Sequence, residues 1–158
     1  MTQSRIAVIR IRGDHDIKKT IKDTLKMLRL YKKNSLSIIQ GTNSNLGMLK
    51  KAKDYITWGE IDQDTFKSLL EKRAKIVGNK KLSEDYLKEK LNLNFDSFVL
   101  DFMNFKKELK DIPGIKPYFR LNPPLKGFER KGIKTPYSLG GVLGYRSQKI
   151  NELIKKMI

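Results

Sequence analysis

The residues that could carry catalysis or bind a metal are few in this sequence. The chain has 158 residues, no Cys and a single histidine, His15. A chain without thiols has no Cys zinc site, iron–sulfur cluster or thiol nucleophile, and one histidine cannot form a multi-histidine metal site. We therefore predict no catalytic residue, no metal and no cofactor. His15 flanks a predicted helix cap in a basic region, where its expected roles are a phosphate contact or simple exposure to solvent.

The segment Gly127–Thr135 comes close to a phosphate-binding loop but misses its spacing. In that motif a lysine directly follows the second glycine, whereas here Ile133 separates Gly132 from Lys134. No predicted strand precedes the segment, and Pro136 opposes the helix that would have to follow it. The pattern therefore does not predict nucleotide hydrolysis.

Acidic side chains are concentrated in the middle of the chain, in pairs typical of helix starts. Asp62 with Asp64, and Glu84 with Asp85, precede helical patterns. Metal-dependent cleavage of RNA would need such acids to share one cleft, which is a tertiary feature. A small metal-dependent RNA-processing enzyme is therefore kept as the alternative hypothesis.

Basic residues dominate the composition and predict a polyanionic partner. With 34 Lys and Arg against 17 Asp and Glu, the formal net charge is +17 at pH 7. Residues 1–61 carry 13 basic and 5 acidic side chains, residues 62–112 carry 11 and 10, and residues 113–158 carry 10 and 2. This division indicates two contact regions separated by a nearly neutral spacer. No apolar stretch approaches the length of a membrane span, so we expect a cytoplasmic protein without a membrane partner. Since the motif search predicts no catalytic or nucleotide-binding site, we also expect no small-molecule substrate.

The start of the first basic region is predicted to be a strand followed by an amphipathic helix. Residues 5–12 are rich in β-branched side chains, and residues 14–16 offer N-caps for the helix. Apolar residues then recur at helical spacing, at Ile17, Ile21, Leu25 and Leu28. The other face of this helix is basic. The candidate RNA-contacting residues here are Arg10, Arg12, His15, Lys18, Lys19 and Lys22.

The rest of the first region is predicted to continue the alternation of strands and helices. Strands are predicted at 36–40 and 55–61, with a short helix at 46–54 between them. The order β-α-β-α-β favours a small sheet with helices packed on one side. The short helix supplies three further candidate RNA contacts, Lys50, Lys51 and Lys53.

The middle segment, residues 62–112, is predicted to be helical. A helix is expected after Asp62, another after Ser83, and a third from Asp96 to the stop signal at 112–114. The third helix carries an aromatic and aliphatic stripe that we expect in the core, formed by Phe98, Phe102, Phe105 and Leu109. A competing hypothesis, a helical partner-binding module, predicts instead that Phe98 and Phe102 are exposed.

The last segment is irregular, basic and rich in Pro and Gly, and it ends in a short amphipathic helix. Cations interleaved with aromatic rings suit RNA, because phosphates attract the cations and splayed bases stack on the rings. The candidate RNA contacts of this segment are Lys126, Phe128, Arg130, Lys131, Lys134, Tyr145 and Arg146.

Several runs of residues resemble one protein family. They are 16–20 leading to 28–30, 45–61 with its Gly47-Met48 and Trp58-Gly59-Glu60-Ile61 signatures, and the motifs 120–124, 127–129, 131–134, 140–141 and 144–146 of the last segment. On these motifs the chain resembles the large ribosomal subunit protein L-thirty family, in its long archaeal and eukaryotic form. Residues 67–111 are the least distinctive, and Asn122 stands where the family pattern has a His.

This resemblance implies an α+β fold and a role in the ribosome. The implied core is β-α-β-α-β with a small three-stranded antiparallel sheet, somewhat like a ferredoxin fold. The implied partners are large-subunit ribosomal RNA near the 5S RNA and neighbouring ribosomal proteins, and no catalysis is implied. We expect one structural unit in three parts: an rRNA-binding core (1–61), a helical segment packed on it (62–112) and a basic extension (113–158).

Overall fold

The computed structural model describes residues 4–158 and shows an α+β architecture; residues 1–3 of the expected core lie outside the described part. Its elements in chain order are β1 (Arg5–Arg10), α1 (Lys19–Met27), β2 (Ser35–Gln40), α2 (Asn43–Lys51), β3 (Ile56–Glu60), α3 (Gln63–Arg73), α4 (Glu84–Leu91), α5 (Phe95–Met103), β4 (Phe119–Arg120), β5 (Gly144–Tyr145) and α6 (Ile150–Met157). Short 3₁₀ turns occur at Val77–Asn79, Leu109–Asp111, Tyr137–Leu139 and Ser147–Lys149. None of the helices among residues 4–158 has the length and apolar character needed to cross a bilayer.

The sheet has five strands in the order β4-β2-β1-β3-β5, so the expected three-stranded sheet is wrong in its strand count. β1 pairs antiparallel with both β2 and β3 and forms the centre. The extension adds a strand at each edge: β4 is antiparallel to β2, and β5 is parallel to β3. Each added strand has two residues, which is too short for an alternating pattern to be visible in the sequence.

Both faces of the sheet are covered by helices: α1 and α2 pack on one face, as expected for the first region, and helices of the later segments cover the other. Successive side chains of a strand point to opposite faces. Ala7 and Ile9 of β1 join the core formed with α3, α5 and α6, whereas Ile6 and Val8 join the core formed with α1 and α2. All six residues of β1 are buried, which explains its nearly continuous apolar run.

Helix boundaries follow local capping that the sequence patterns located only partly. α2 begins before the predicted residue 46, because the Thr42 hydroxyl accepts a hydrogen bond from the Asn45 backbone N–H. Ser83 caps α4 as predicted. The predicted caps at 14–16 are wrong, since α1 has Lys18 at its N-cap without a side-chain hydrogen bond.

Phe98, Phe102 and Leu109 of the middle segment's stripe lie in the core, as predicted, whereas Phe105 is half-buried and outside it, and the helix is shorter than expected. Phe98 and Phe102 are fully buried, which contradicts the partner-binding module. α5 ends at Met103, and Phe105 adopts a left-handed backbone with a φ of 60°. The guanidinium of buried Arg5 lies 3.9 Å from the Phe102 ring centre and 4.3 Å from that of Phe105, and this stack ties the middle segment to β1.

Candidate nucleic-acid interface

The first group of candidate residues, here called the N-terminal patch, lies on the outer side of α1 and on the segment that precedes it. The helix buries Thr24 and Leu25 against the sheet, so its polar face is left to solvent. The patch consists of the exposed residues His15, Lys18, Lys19, Lys22 and Lys26. All but Lys26 belong to the set predicted from the sequence.

A second group, the α2 patch, lies at the C-terminal end of α2. Leu49 fixes the orientation of this helix because it is fully buried in the core. The predicted contacts Lys50, Lys51 and Lys53 are all exposed around it. Cations in this position are also favoured by the helix dipole.

The third group, the extension patch, lies on the irregular C-terminal segment. The predicted contacts Lys126, Arg130, Lys131 and Lys134 are exposed, and Phe128 is half-buried against the core. A recess of about 150 Å³ places Lys126 beside Lys149 and Lys156. Sequence reasoning missed these two lysines, although their spacing of seven residues, which puts side chains on one helical face, was a usable signal.

The lysines and arginines of these three patches are free of internal ion pairs. Within residues 4–158, the ion pairs use other basic residues: Arg5, Arg10, Lys67, Lys88, Lys90, Lys107 and Arg146. An exposed cation without an acidic partner is available to a phosphate at little desolvation cost. The patches therefore have the electrostatics of a polyanion-binding surface.

Arg10 was predicted to contact RNA, but the structure buries it. Its side chain donates hydrogen bonds to the backbone carbonyl oxygens of Arg12, Leu30 and Tyr31, and it pairs with Asp14. The hydrogen bond from Arg10 lowers the pKa of the Asp14 carboxyl. The prediction is corrected accordingly: Arg10 holds the segments after β1 and α1 together because its donors are used inside the protein.

Arg146 was also predicted to contact RNA, and this prediction is corrected too, because the residue is internal. Its guanidinium donates to the Thr57 hydroxyl at 2.9 Å, to Glu129 Oε1 at 2.6 Å and to the Val142 carbonyl at 2.8 Å. The side chain is 2% exposed and lies over the Tyr137 ring. It joins two parts of the extension to β3.

Arg12 is partly available. One guanidinium nitrogen donates to the Asp54 carbonyl at 3.2 Å, and the group lies 5.0 Å from the centre of the Tyr55 ring. The residue is half-buried rather than enclosed. An Arg stacked in this way can still present its remaining N–H donors to a phosphate.

The structure brings together two predicted contacts that are far apart in sequence, Lys50 and Tyr145. They line a cleft of about 570 Å³, here called the aromatic cleft, together with Leu46, Trp58 and Glu60. Because β5 pairs with β3, Tyr145 lies next to Trp58, with ring centres 6.5 Å apart. The Tyr145 hydroxyl donates to Glu60 Oε1 at 2.8 Å, and this hydrogen bond raises the pKa of the phenol.

Among residues 4–158 no group of three or more His, Asp or Glu side chains is arranged to hold a metal ion. The acidic pairs in the middle segment lie at helix starts. Asp64 and Glu84 with Asp85 occupy the first turns of α3 and α4, and Asp62 is the N-cap of α3. These positions match the predicted structural role, since acids are favoured at the positive end of a helix.

Comparison with known proteins identifies the family. Residues 6–56 match the model of the family described as Ribosomal protein L30p/L7e. The chain is 51% identical to the large ribosomal subunit protein uL30 of Nanoarchaeum equitans (strain Kin4-M), over 96% of this chain and 97% of the relative. The chain belongs to the uL30 family. The corresponding proteins of Methanosphaera stadtmanae and Methanopyrus kandleri are 50% and 45% identical, and the matches cover 96% and 94% of this chain.

Membership in the uL30 family confirms the resemblance seen in the sequence, including the long form. The family model ends at residue 56, whereas the archaeal uL30 relatives match over almost the full chain and so include the extension. Since uL30 is a family of ribosomal proteins, the membership also confirms that the chain is not an enzyme. The metal-dependent RNA-processing hypothesis is dropped on this ground.

Proposed function

We propose that this chain is a structural constituent of the large ribosomal subunit, located in cytoplasmic ribosomes, where it binds ribosomal RNA through the N-terminal, α2 and extension patches. The observation that carries the proposal is the set of exposed cations without internal ion pairs, in a chain with a net charge of +17. The names of its uL30 relatives support the ribosome as the site of action. Neighbouring large-subunit proteins are its further partners.

The proposed residues divide by role. The contacts with phosphates are assigned to His15, Lys18, Lys19, Lys22, Lys50, Lys51, Lys53, Lys126, Arg130, Lys131 and Lys134, with Arg12 beside them. Phe128 and Tyr145 are assigned to bases, because aromatic rings bind RNA by stacking. Phosphate contacts should outnumber base contacts, as they do in most protein–nucleic acid interfaces.

A salt titration with a fragment of large-subunit RNA tests this proposal. If about six to ten phosphates are contacted, the affinity should fall by about 10³- to 10⁵-fold between about 50 and 200 mM salt, since bound counterions are released. A flat salt response would contradict the electrostatic mechanism. Co-sedimentation through a high-salt gradient is a second test: an assembled constituent should stay with the large subunit, whereas a basic protein attached only by its charge should dissociate.

A location near the 5S RNA is the finer part of the proposal, and it is supported by the family resemblance. The chain contains no Cys, so a single introduced cysteine gives a unique attachment point for a photo-cross-linker. Arg130→Cys and Lys18→Cys place it on two different patches. Reconstituted subunits should give cross-links to 5S RNA, or to the large rRNA beside it, from at least one position. Cross-links confined to distant rRNA would refute the location.

We also infer that the three segments fold as one structural unit. The core under one face of the sheet contains Ala7 of the first segment, Phe66 of the second and Ile154 of the third. Unfolding in urea should therefore be a single transition, with the same midpoint by circular dichroism and by Trp58 fluorescence. Two separate transitions would contradict this inference.

A further inference from the structure

The aromatic cleft differs from the three cationic patches because it offers a concave site with mixed chemistry. Its volume of about 570 Å³ falls within the range of about 300–1,000 Å³ that is typical of small-ligand sites. Its walls come from α2, from β3, from Ile6 of β1 with Ser4 and Gly41 beside it, and, through Tyr145, from β5. A ligand in this cleft would therefore touch both the first segment and the extension.

The aromatic wall of the cleft is rigid and accessible. Tyr145 is 53% exposed, although strand pairing beside Trp58 and the hydrogen bond to Glu60 restrain its ring. An exposed ring that is already held in place stacks on a planar ligand at a small cost in conformational entropy. Trp58 itself is only 9% exposed and forms the inner part of the wall.

The polar groups of the cleft have unmet hydrogen-bonding and charge requirements. Glu60 Oε2 is buried and has no hydrogen-bond partner among residues 4–158. Buried polar atoms are normally satisfied. Glu60 lines the cleft, so a ligand donor that its carboxylate turns to meet would remove the cost of the unsatisfied oxygen. Lys50 is exposed and has no ion pair within the described part of the chain.

One class of ligand meets all three requirements. A nucleotide combines a planar ring that stacks, N–H groups that can face a carboxylate, and an anionic phosphate. An aliphatic side chain from a protein would leave Glu60 unsatisfied, and an arginine would bring a second positive charge next to Lys50.

We infer that the aromatic cleft binds one unpaired nucleobase of the RNA, which stacks on Tyr145 with its N–H groups toward Glu60 and its phosphate toward Lys50. This inference rests on the proposed function, since it assumes that the chain binds RNA. It deepens the base contact proposed for Tyr145, because it places that contact in a cleft with Glu60 and Lys50 as its polar groups. Bases in duplexes are already stacked, so the site selects single-stranded or bulged RNA.

Trp58 is the single tryptophan of the chain and serves as a local reporter. The full-length protein is titrated with a mixed-sequence single-stranded octaribonucleotide, with the same sugar–phosphate chain lacking its bases, and with a blunt RNA duplex. Trp58 fluorescence reports the cleft, while anisotropy of end-labelled RNA reports total binding. The single strand should change Trp58 fluorescence, and the abasic chain should bind about 5- to 150-fold more weakly to the cleft, as expected for one lost stacking contact.

Variants of Tyr145 test whether binding in the cleft depends on its aromatic ring rather than on the cationic patches. Tyr145→Leu should weaken the fluorescence-detected binding by the same factor, whereas Tyr145→Phe keeps the ring and should largely retain it. Tyr31→Leu is the matched control, because Tyr31 is 47% exposed and lies outside the cleft. Tyr31→Leu should change the fluorescence-detected affinity by less than about twofold, which is well below the effect expected for losing one stacking contact.

The outcomes distinguish the two proposals. Salt-dependent RNA binding without a Trp58 signal, or with equal affinity for abasic and base-containing chains, would overturn the cleft inference and leave the proposed function intact. Equal binding of the duplex in the cleft would also overturn it. A Trp58 response to an arginine-rich peptide but not to RNA would identify a protein-binding cleft instead. If the unmodified protein binds none of the RNAs, the proposed function itself is refuted.

Discussion

Replacing Arg146 tests whether the internal arginine of the extension stabilises the fold rather than contacting RNA. The change to leucine keeps most of the aliphatic volume and removes the three hydrogen bonds to Thr57, Glu129 and Val142. Hydrogen bonds that involve a charged group contribute about 1.5–3 kcal/mol each, and breaking a buried ion pair on one side costs about 3–5 kcal/mol. The side chain of Glu129 is 31% exposed, so water can rehydrate part of it after the change.

We therefore expect Arg146→Leu to lower the free energy of unfolding by about 3 kcal/mol, the lower end of that range. For a domain of this size the melting temperature should fall by about 6–12 °C, at about 2–4 °C for each kcal/mol. Urea unfolding followed by circular dichroism gives the free energy. Hydrogen exchange should show the largest loss of protection in residues 129–146, because Arg146 joins this part of the extension to β3.

Arg130→Ala is the matched control, since Arg130 is exposed and has no ion pair among residues 4–158. It should change stability by less than about 0.5 kcal/mol. Its effect should appear in RNA binding, where the slope of log affinity against log salt should become shallower by about one phosphate contact. Arg146→Leu, studied below its melting temperature, should leave that slope unchanged. Equal stability of the two variants, or a shallower slope for Arg146→Leu, would refute the assignment.

Three further predictions concern the free protein. Gly59→Ala should destabilise it by about 1–3 kcal/mol in thermal melts, because an added Cβ would lie 1.9 Å from the backbone oxygen of Ser147; wild-type stability would disprove this close packing. Gly47→Ala should instead raise the stability by about 0.5–1 kcal/mol, since Gly47 is inside α2 with nothing within 4 Å of the added atom; a lower melting temperature would contradict this. Asp14→Asn should destabilise the protein at pH 7, where the carboxylate pairs with Arg10, and the difference from wild type should shrink as the pH falls below about 3.8, because the folded-state pKa of Asp14 is lowered and protonation then removes the pair. A difference that stays constant down to the lowest pH at which the protein folds would show that the ion pair is not its cause.

The sequence patterns were sufficient where a local rule decides the structure. The apolar spacing of Ile21 and Leu25 located α1, and Ser83 marked the start of α4. The aromatic stripe at Phe98 and Phe102 was correctly placed in the core. Capping at Thr42 was missed because a polar loop and a short polar first turn have similar compositions.

The candidate site was predictable in composition but not in detail. Exposed lysines such as Lys19 and Lys131 lie in polar surroundings that their sequence neighbours already indicated. Arg10 lies between Ile9 and Ile11 in the apolar run of β1, and Arg146 lies between Tyr145 and Ser147. Both are buried, because carbonyl and carboxylate oxygens from other segments satisfy their guanidinium groups. The aromatic cleft was not predictable, since it requires Lys50 and Tyr145 to meet across the sheet.

The sequence by itself determined the class of partner and the family. The net positive charge is the same whatever fold the chain adopts, and the motifs of the uL30 family are short runs of residues that can be read directly from the sequence. Only the tertiary structure decided which arginines stabilise the protein and which cations remain free, and only it added β4 and β5 to the sheet. The physical reason is that burial and hydrogen-bond satisfaction depend on residues far apart in sequence, such as Thr57 and Arg146 at 89 positions, and a linear pattern does not show which of them meet.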